Sequence, residues 1–101
     1  MRIARSTLIA ATLLLTTGAA LADAPADLLA RAMQVSMTQV ELGKLAQKNA
    51  ESSGVNALGV RLEHDHARIG KMLETIARDR QVAVPTSPDG SHRAVIESLV
   101  L

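Results

Sequence analysis

Residues 51–56, Glu-Ser-Ser-Gly-Val-Asn, form a short polar break between two long stretches with helical periodicity, and this break constrains the fold more than any other feature. Before it, Leu28, Ala32, Val35, Gln39, Leu42 and Ala46 recur at spacings of three and four, which marks one face of a helix predicted over residues 23–52. A second apolar group, Leu29, Met33, Met37 and Val40, widens that face, as expected for a helix with more than one neighbour. Pro25 suits the first helical turn, and Asp23 or Asp27 suits the positive end of the helix dipole. After the break, Val55, Leu58, Leu62, His66, Ile69, Leu73, Ile76 and Ala77 form the expected buried stripe of a helix over residues 54–80. Gly54 offers a left-handed C-cap to the first helix, and Ser52 or Ser53 a side-chain cap to the second. Long helices on a short link pack antiparallel, so the pattern predicts an αα-hairpin.

A third element follows. Residues 82–91, with Pro85, Pro88 and the turn signal Pro-Asp-Gly, read as a loop. Asp89 or Ser91 then caps a short helix carrying Val95, Ile96, Leu99, Val100 and Leu101. An amphipathic helix rarely stops inside its apolar stripe, so the expectation is either a partner chain over this end or a truncated version of a longer bundle. No strand pattern or internal repeat is visible.

The first 22 residues read differently. Arg2 and Arg5 precede the uncharged run Thr7–Ala20, and Ala20-Leu21-Ala22 supplies the small-x-small exit of a cleaved secretory signal peptide. The run is short for a membrane span, which needs about 20 apolar residues. No Cys follows it, which excludes a lipid anchor. The mature chain is therefore expected to be residues 23–101, in the periplasm or associated with the outer membrane, with no membrane span after cleavage. Domains of this size bury only about 60–65% of their unfolded surface. Without Cys, stability must come from helix packing, a metal or another chain. Removing Arg2 and Arg5 from eleven basic residues leaves nine against ten acidic ones. With no basic field and no aromatic residue to stack on bases, a nucleic-acid partner is excluded.

The chemistry-bearing stretch is Val60–Gly70, VRLEHDHARIG, with Glu63, His64, Asp65 and His66 in a row. His66 falls in the expected buried stripe, where a polar group without a partner costs about 1–3 kcal/mol. One reading satisfies it with a facing polar residue, Gln39 being the candidate. The other treats Glu63 and His66 as the Glu-x-x-His half of a carboxylate metal site, since an i, i+3 step puts both donors on one side of a helix. His64 and Asp65 could join a site for iron, copper or zinc. No second Glu-x-x-His occurs, so a homodimer or a missing C-terminal half would have to complete it. The plainer expectations are that Asp65 pairs with Arg61, Arg68 or a backbone amide, that His64 is solvated, and that Glu41 belongs to a charge cluster with Lys44 and Lys48. Met33, Met37 and Met72 are expected as core filler. No catalytic constellation is present: there is no nucleophile with a base, no phosphate loop and no zinc signature.

Gln39–Ala50 (QVELGKLAQKNA), Leu58–Ala77 (LGVRLEHDHARIGKMLETIA) and Val82–Pro85 (VAVP) together resemble an exported bacterial domain-of-unknown-function family, family 4142, grouped with ferritin-like helical bundles. Glu41, Leu42, Gly43, Leu45 and Ala46 match its first-helix motif, and Asp65-His66 its Asp-His pair. Leu62 stands where the family tends to have Met. Gln39 stands in place of a family Glu, which removes a carboxylate opposite His66, and Glu63 replaces an apolar residue. The resemblance covers about residues 28–100 and implies further helices that this chain lacks. The expectation is thus an all-α chain: an antiparallel hairpin plus the start of a third helix, resembling part of a ferritin-like four-helix bundle. Its expected role is a structural or interaction module of the envelope, paired with itself or another envelope protein. The alternative is periplasmic metal binding through His66, Glu63, Asp65 and His64.

Overall fold

The computed structural model describes residues 25–100, so the expected signal segment at residues 1–22, Asp23 and Leu101 lie outside the described residues. Three helices follow in order: α1, Ala26–Asn49; α2, Ser53–Asp79; and α3, Gly90–Ser98. Among the described residues there is no strand, and no helix is long and apolar enough to cross a membrane.

Local chemistry sets the boundaries. Pro25 sits just before the first helix, at φ −56° and ψ 151°, and not within its first turn; its carbonyl accepts from Leu29 N at 3.1 Å. The link is shorter than the sequence suggests. Ser52 caps α2 by accepting from Val55 N at 3.2 Å, while Gly54 lies inside α2 and takes no left-handed C-cap. The left-handed residue is instead Gln81, at φ 57°. Val82 N donates to Ala77 O (2.8 Å) and Gln81 N to Arg78 O (3.1 Å), the pair of bonds that defines a Schellman ending. Asp89 caps α3 through His92 N at 3.0 Å.

α1 and α2 pack antiparallel, as the order of their contacts shows. Near the link, a Cβ on Gly43 would lie 2.7 Å from Glu63 N and 2.8 Å from Gly59 O; further along, one on Gly70 would lie 3.8 Å from Ser36 Cβ. At the far end Leu29 and Met33 are buried with Leu73 and Ala77. The seam therefore runs through Leu29, Met33, Ser36, Val40, Gly43 and Gln47 on α1 and through Gly59, Glu63, His66, Gly70, Leu73 and Ala77 on α2, at alternating spacings of three and four. Small residues at the link end let the backbones meet, and the apolar core gathers at the opposite end. Val82 and Val84 of the loop after α2 close over that core. α3 packs back on α1. The Gln34 side chain clamps the loop there, accepting from Asp89 N at 2.8 Å and donating to Ser87 O at 3.4 Å.

This seam corrects the expected one. On α1 the buried residues belong to the group Leu29, Met33 and not to Leu28, Val35, which are about half exposed. On α2, Leu73 and Ala77 are buried as expected, but Leu58 is 65% exposed, and Val55 and Ile69 are exposed too. The closest helix contact runs beside the most apolar stripe, because glycine and serine permit close approach without raising hydrophobicity.

Candidate functional site

The hairpin has two sides, and they differ. On one side the helices and the loop enclose a groove of about 870 Å³. Met37 and Glu41 of α1, His66, Lys71, Glu74 and Arg78 of α2, and Val84–Pro88 of the loop all line it. Glu74 is bonded to Arg78, and Glu41 accepts from Lys44 at 3.0 Å. That bond, together with the attraction of Glu41, raises the Lys44 pKa above its ordinary value. The groove thus has the apolar side chains Met33, Met37 and Val40 in its lining, with the Glu41–Lys44 and Glu74–Arg78 pairs and Lys71 along its rim.

The other side follows from the same register. Positions adjacent to the seam and turned away from the groove are Leu28, Val35 and Leu42 on α1 and Leu58, Leu62, Ile69, Met72 and Ile76 on α2. Leu28 is 51%, Leu58 65% and Met72 50% exposed; Leu42, Leu62 and Ile76 are half-buried. Much of the two stripes expected to be buried thus lies on one open apolar face, while Leu73 and Ala77 of the second stripe are in the seam and Ile76 also packs against the core. Met72, expected as core filler, belongs to it, whereas Met33 is core.

The row Glu63–His66 fans out, because successive helical residues point about 100° apart. Glu63 turns into the seam, where its Oε2 accepts from Gln47 Nε2 at 2.5 Å. The same Gln47 amide also donates to Gly43 O, and the Gln47 backbone carbonyl accepts from Asn56 Nδ2 at 3.2 Å, so Glu63 belongs to a knot that ties the link end together. His64 is solvated, as expected, with its side chain 76% exposed. Asp65 borders the open face, 3.6 Å from Arg61 Nε and 3.5 Å from His64 Nδ1. His66 lines the groove with Nδ1 buried and without a hydrogen-bond partner, so Gln39 does not satisfy it. Among the described residues no three His, Asp or Glu side chains gather into a set that could hold a metal ion.

Sequence reasoning missed the Gly43–Gly59 contact, the Gln34 clamp and the groove. The signal for the first was present: glycines inside an otherwise helical pattern cost about 1 kcal/mol each against Ala, so Gly43, Gly59 and Gly70 ask for a packing reason. For the groove there was no local signal, since the loop forms one wall.

No curated protein and no solved structure matches the chain. A domain family described as a domain of unknown function, DUF4142, matches residues 11–100. The match includes both hairpin helices and α3, and the chain belongs to that family.

Proposed function

We propose that the protein is an exported helical interaction module of the bacterial envelope, acting through the open face of its hairpin. The observation that carries this reading is the face itself: Leu28, Val35, Leu58, Ile69 and Met72 are all exposed on one side of a molecule whose buried core is small. Contiguous apolar surface of this kind marks an interaction site. The signal-like segment at residues 1–22 supports export. Cells expressing the full chain, with a photo-crosslinking residue at Leu58, Ile69 or the outward-facing Arg68, test the reading. Adducts are expected in the periplasmic fraction from the first two positions and not from Arg68. Absence of adducts from all three contradicts it.

One observation favours a second reading, metal binding centred on His66 for iron, copper or zinc: its buried Nδ1 has no hydrogen-bond partner. Glu63, Asp65 and His64 diverge within one chain, so further donors would come from another chain or from rearrangement. Titration with Fe(II), Cu(II) and Zn(II) beside His66→Ala decides. Affinity lost in the variant supports the reading; unchanged affinity removes it.

A further inference from the structure

We propose that a second copy of this chain covers the open face, so that two hairpins pair about a two-fold axis into a four-helix bundle. The inference rests on the reading of that face as an interaction surface and names its partner. Three observations carry it.

The first is size. The face runs along helices of 24 and 27 residues. Between Leu58 and Ile76 the apolar positions span about 27 Å at 1.5 Å per residue, and two helices packed 8–10 Å apart present a strip roughly 20 Å wide. That is roughly 540 Å² on each partner and about 1,100 Å² in all, above the about 1,000 Å² that a specific interface needs.

The second is charge. In a two-fold interface the same patch meets itself, so any charge on it meets its like. Along α2 the strip positions from Val55 to Ile76 carry one charged side chain, Asp65. That carboxylate already has Arg61 and His64 beside it, at 3.6 and 3.5 Å. The face is therefore self-compatible. The α1 positions Leu28, Ala32, Val35, Gln39, Leu42 and Ala46 carry no charge, and the one arginine at the edge, Arg61, is paired with Asp65, so the face offers a charged partner or an anionic membrane surface little to pair with.

The third is the core. Among the described residues the buried apolar side chains are Leu29, Met33, Leu73 and Ala77, all at one end of the hairpin. Pairing would bury Leu58, Leu62, Ile69 and Met72 beside them and supply the apolar layer that the rest of the hairpin lacks. A core this small stabilises a helical hairpin weakly, and association is one remedy open to a sequence with no Cys.

The test is sedimentation equilibrium on protein purified from cells expressing the full chain, for wild type, Ile69→Glu, Leu58→Glu and Arg68→Glu. Wild type is expected at twice the chain mass. The first two variants are expected to raise the dimer dissociation constant at least tenfold, and Arg68→Glu to leave it unchanged. Should the glutamate variants fail to fold, a photo-crosslinking residue at Ile69 in the purified wild-type background keeps the question open to measurement; the expected adduct has twice the chain mass. A dimer insensitive to both face variants overturns the proposal. So does a helical monomer. If that monomer still gives Leu58 and Ile69 adducts of other masses in cells, the partner is wrong while the face remains an interaction surface. If it gives none, both readings fall.

Discussion

Glycine decides how closely the two long helices can approach. A Cβ at Gly43 would sit 2.7 Å from the backbone N of Glu63, and one at Gly59 would sit 2.8 Å from Gly43 O. Both obstacles are main chain, so neither can rotate away. Gly43→Ala is expected to destabilise by about 1–3 kcal/mol, the usual range for overpacking, read as a lower urea midpoint. Gly70→Ala is the contrast, because its nearest neighbour, Ser36 Cβ, is at an ordinary 3.8 Å. There the helix-propensity gain of up to about 1 kcal/mol should dominate and raise the midpoint. Gln81 is the reverse case, a side chain held at φ 57° where glycine is favoured. Gln81→Gly should therefore stabilise by about 1 kcal/mol, since it removes the left-handed strain and keeps both Schellman bonds. His66 has no such account within one chain, because its buried Nδ1 lacks a hydrogen bond.

At the scale of elements, what could be read from the sequence divides along physical lines. Helix positions followed from periodicity, and the Ser52 and Asp89 caps from residue type and place. The seam did not, because hydrophobicity marks whatever is apolar, and here the most apolar stripes face away from the partner helix. Of the candidate site, the solvated His64 and the Asp65–Arg61 pair were legible from helical spacing. The role of Glu63 was not, because its partner Gln47 lies on the other helix. α3 hangs on the Asp89 cap to its own first turn, which the sequence signals, and on the Gln34 bonds to the loop, which it does not. Bonds from the His92 backbone and ring and from Ser91 hold the Asp89 carboxyl down from 3.8 to about 2. A folded-state pKa below the unfolded one means that the carboxylate supports the cap above about pH 4. That support fades as pH falls through about 2. The protection of the His92 and Arg93 amides, taken as the exchange rate relative to the unstructured peptide at the same pH, should fall over that window in wild type. In Asp89→Ala that protection should be low at all pH; a wild-type protection that stays flat between pH 4 and 2 would contradict the cap.

The whole molecule contrasts a core of Leu29, Met33, Leu73 and Ala77, among the described residues, with an open face that carries more apolar side chains than that core, Leu28, Val35, Leu58, Ile69 and Met72 among them. A fold completed by association obeys mass action, and its thermal midpoint rises with protein concentration. One completed within a single chain does not. The most direct measurement is therefore the thermal midpoint of the helical circular-dichroism signal across a hundredfold range of protein concentration. A paired hairpin should show a midpoint that climbs steadily with concentration. A helical protein whose midpoint stays fixed across that range would contradict the pairing.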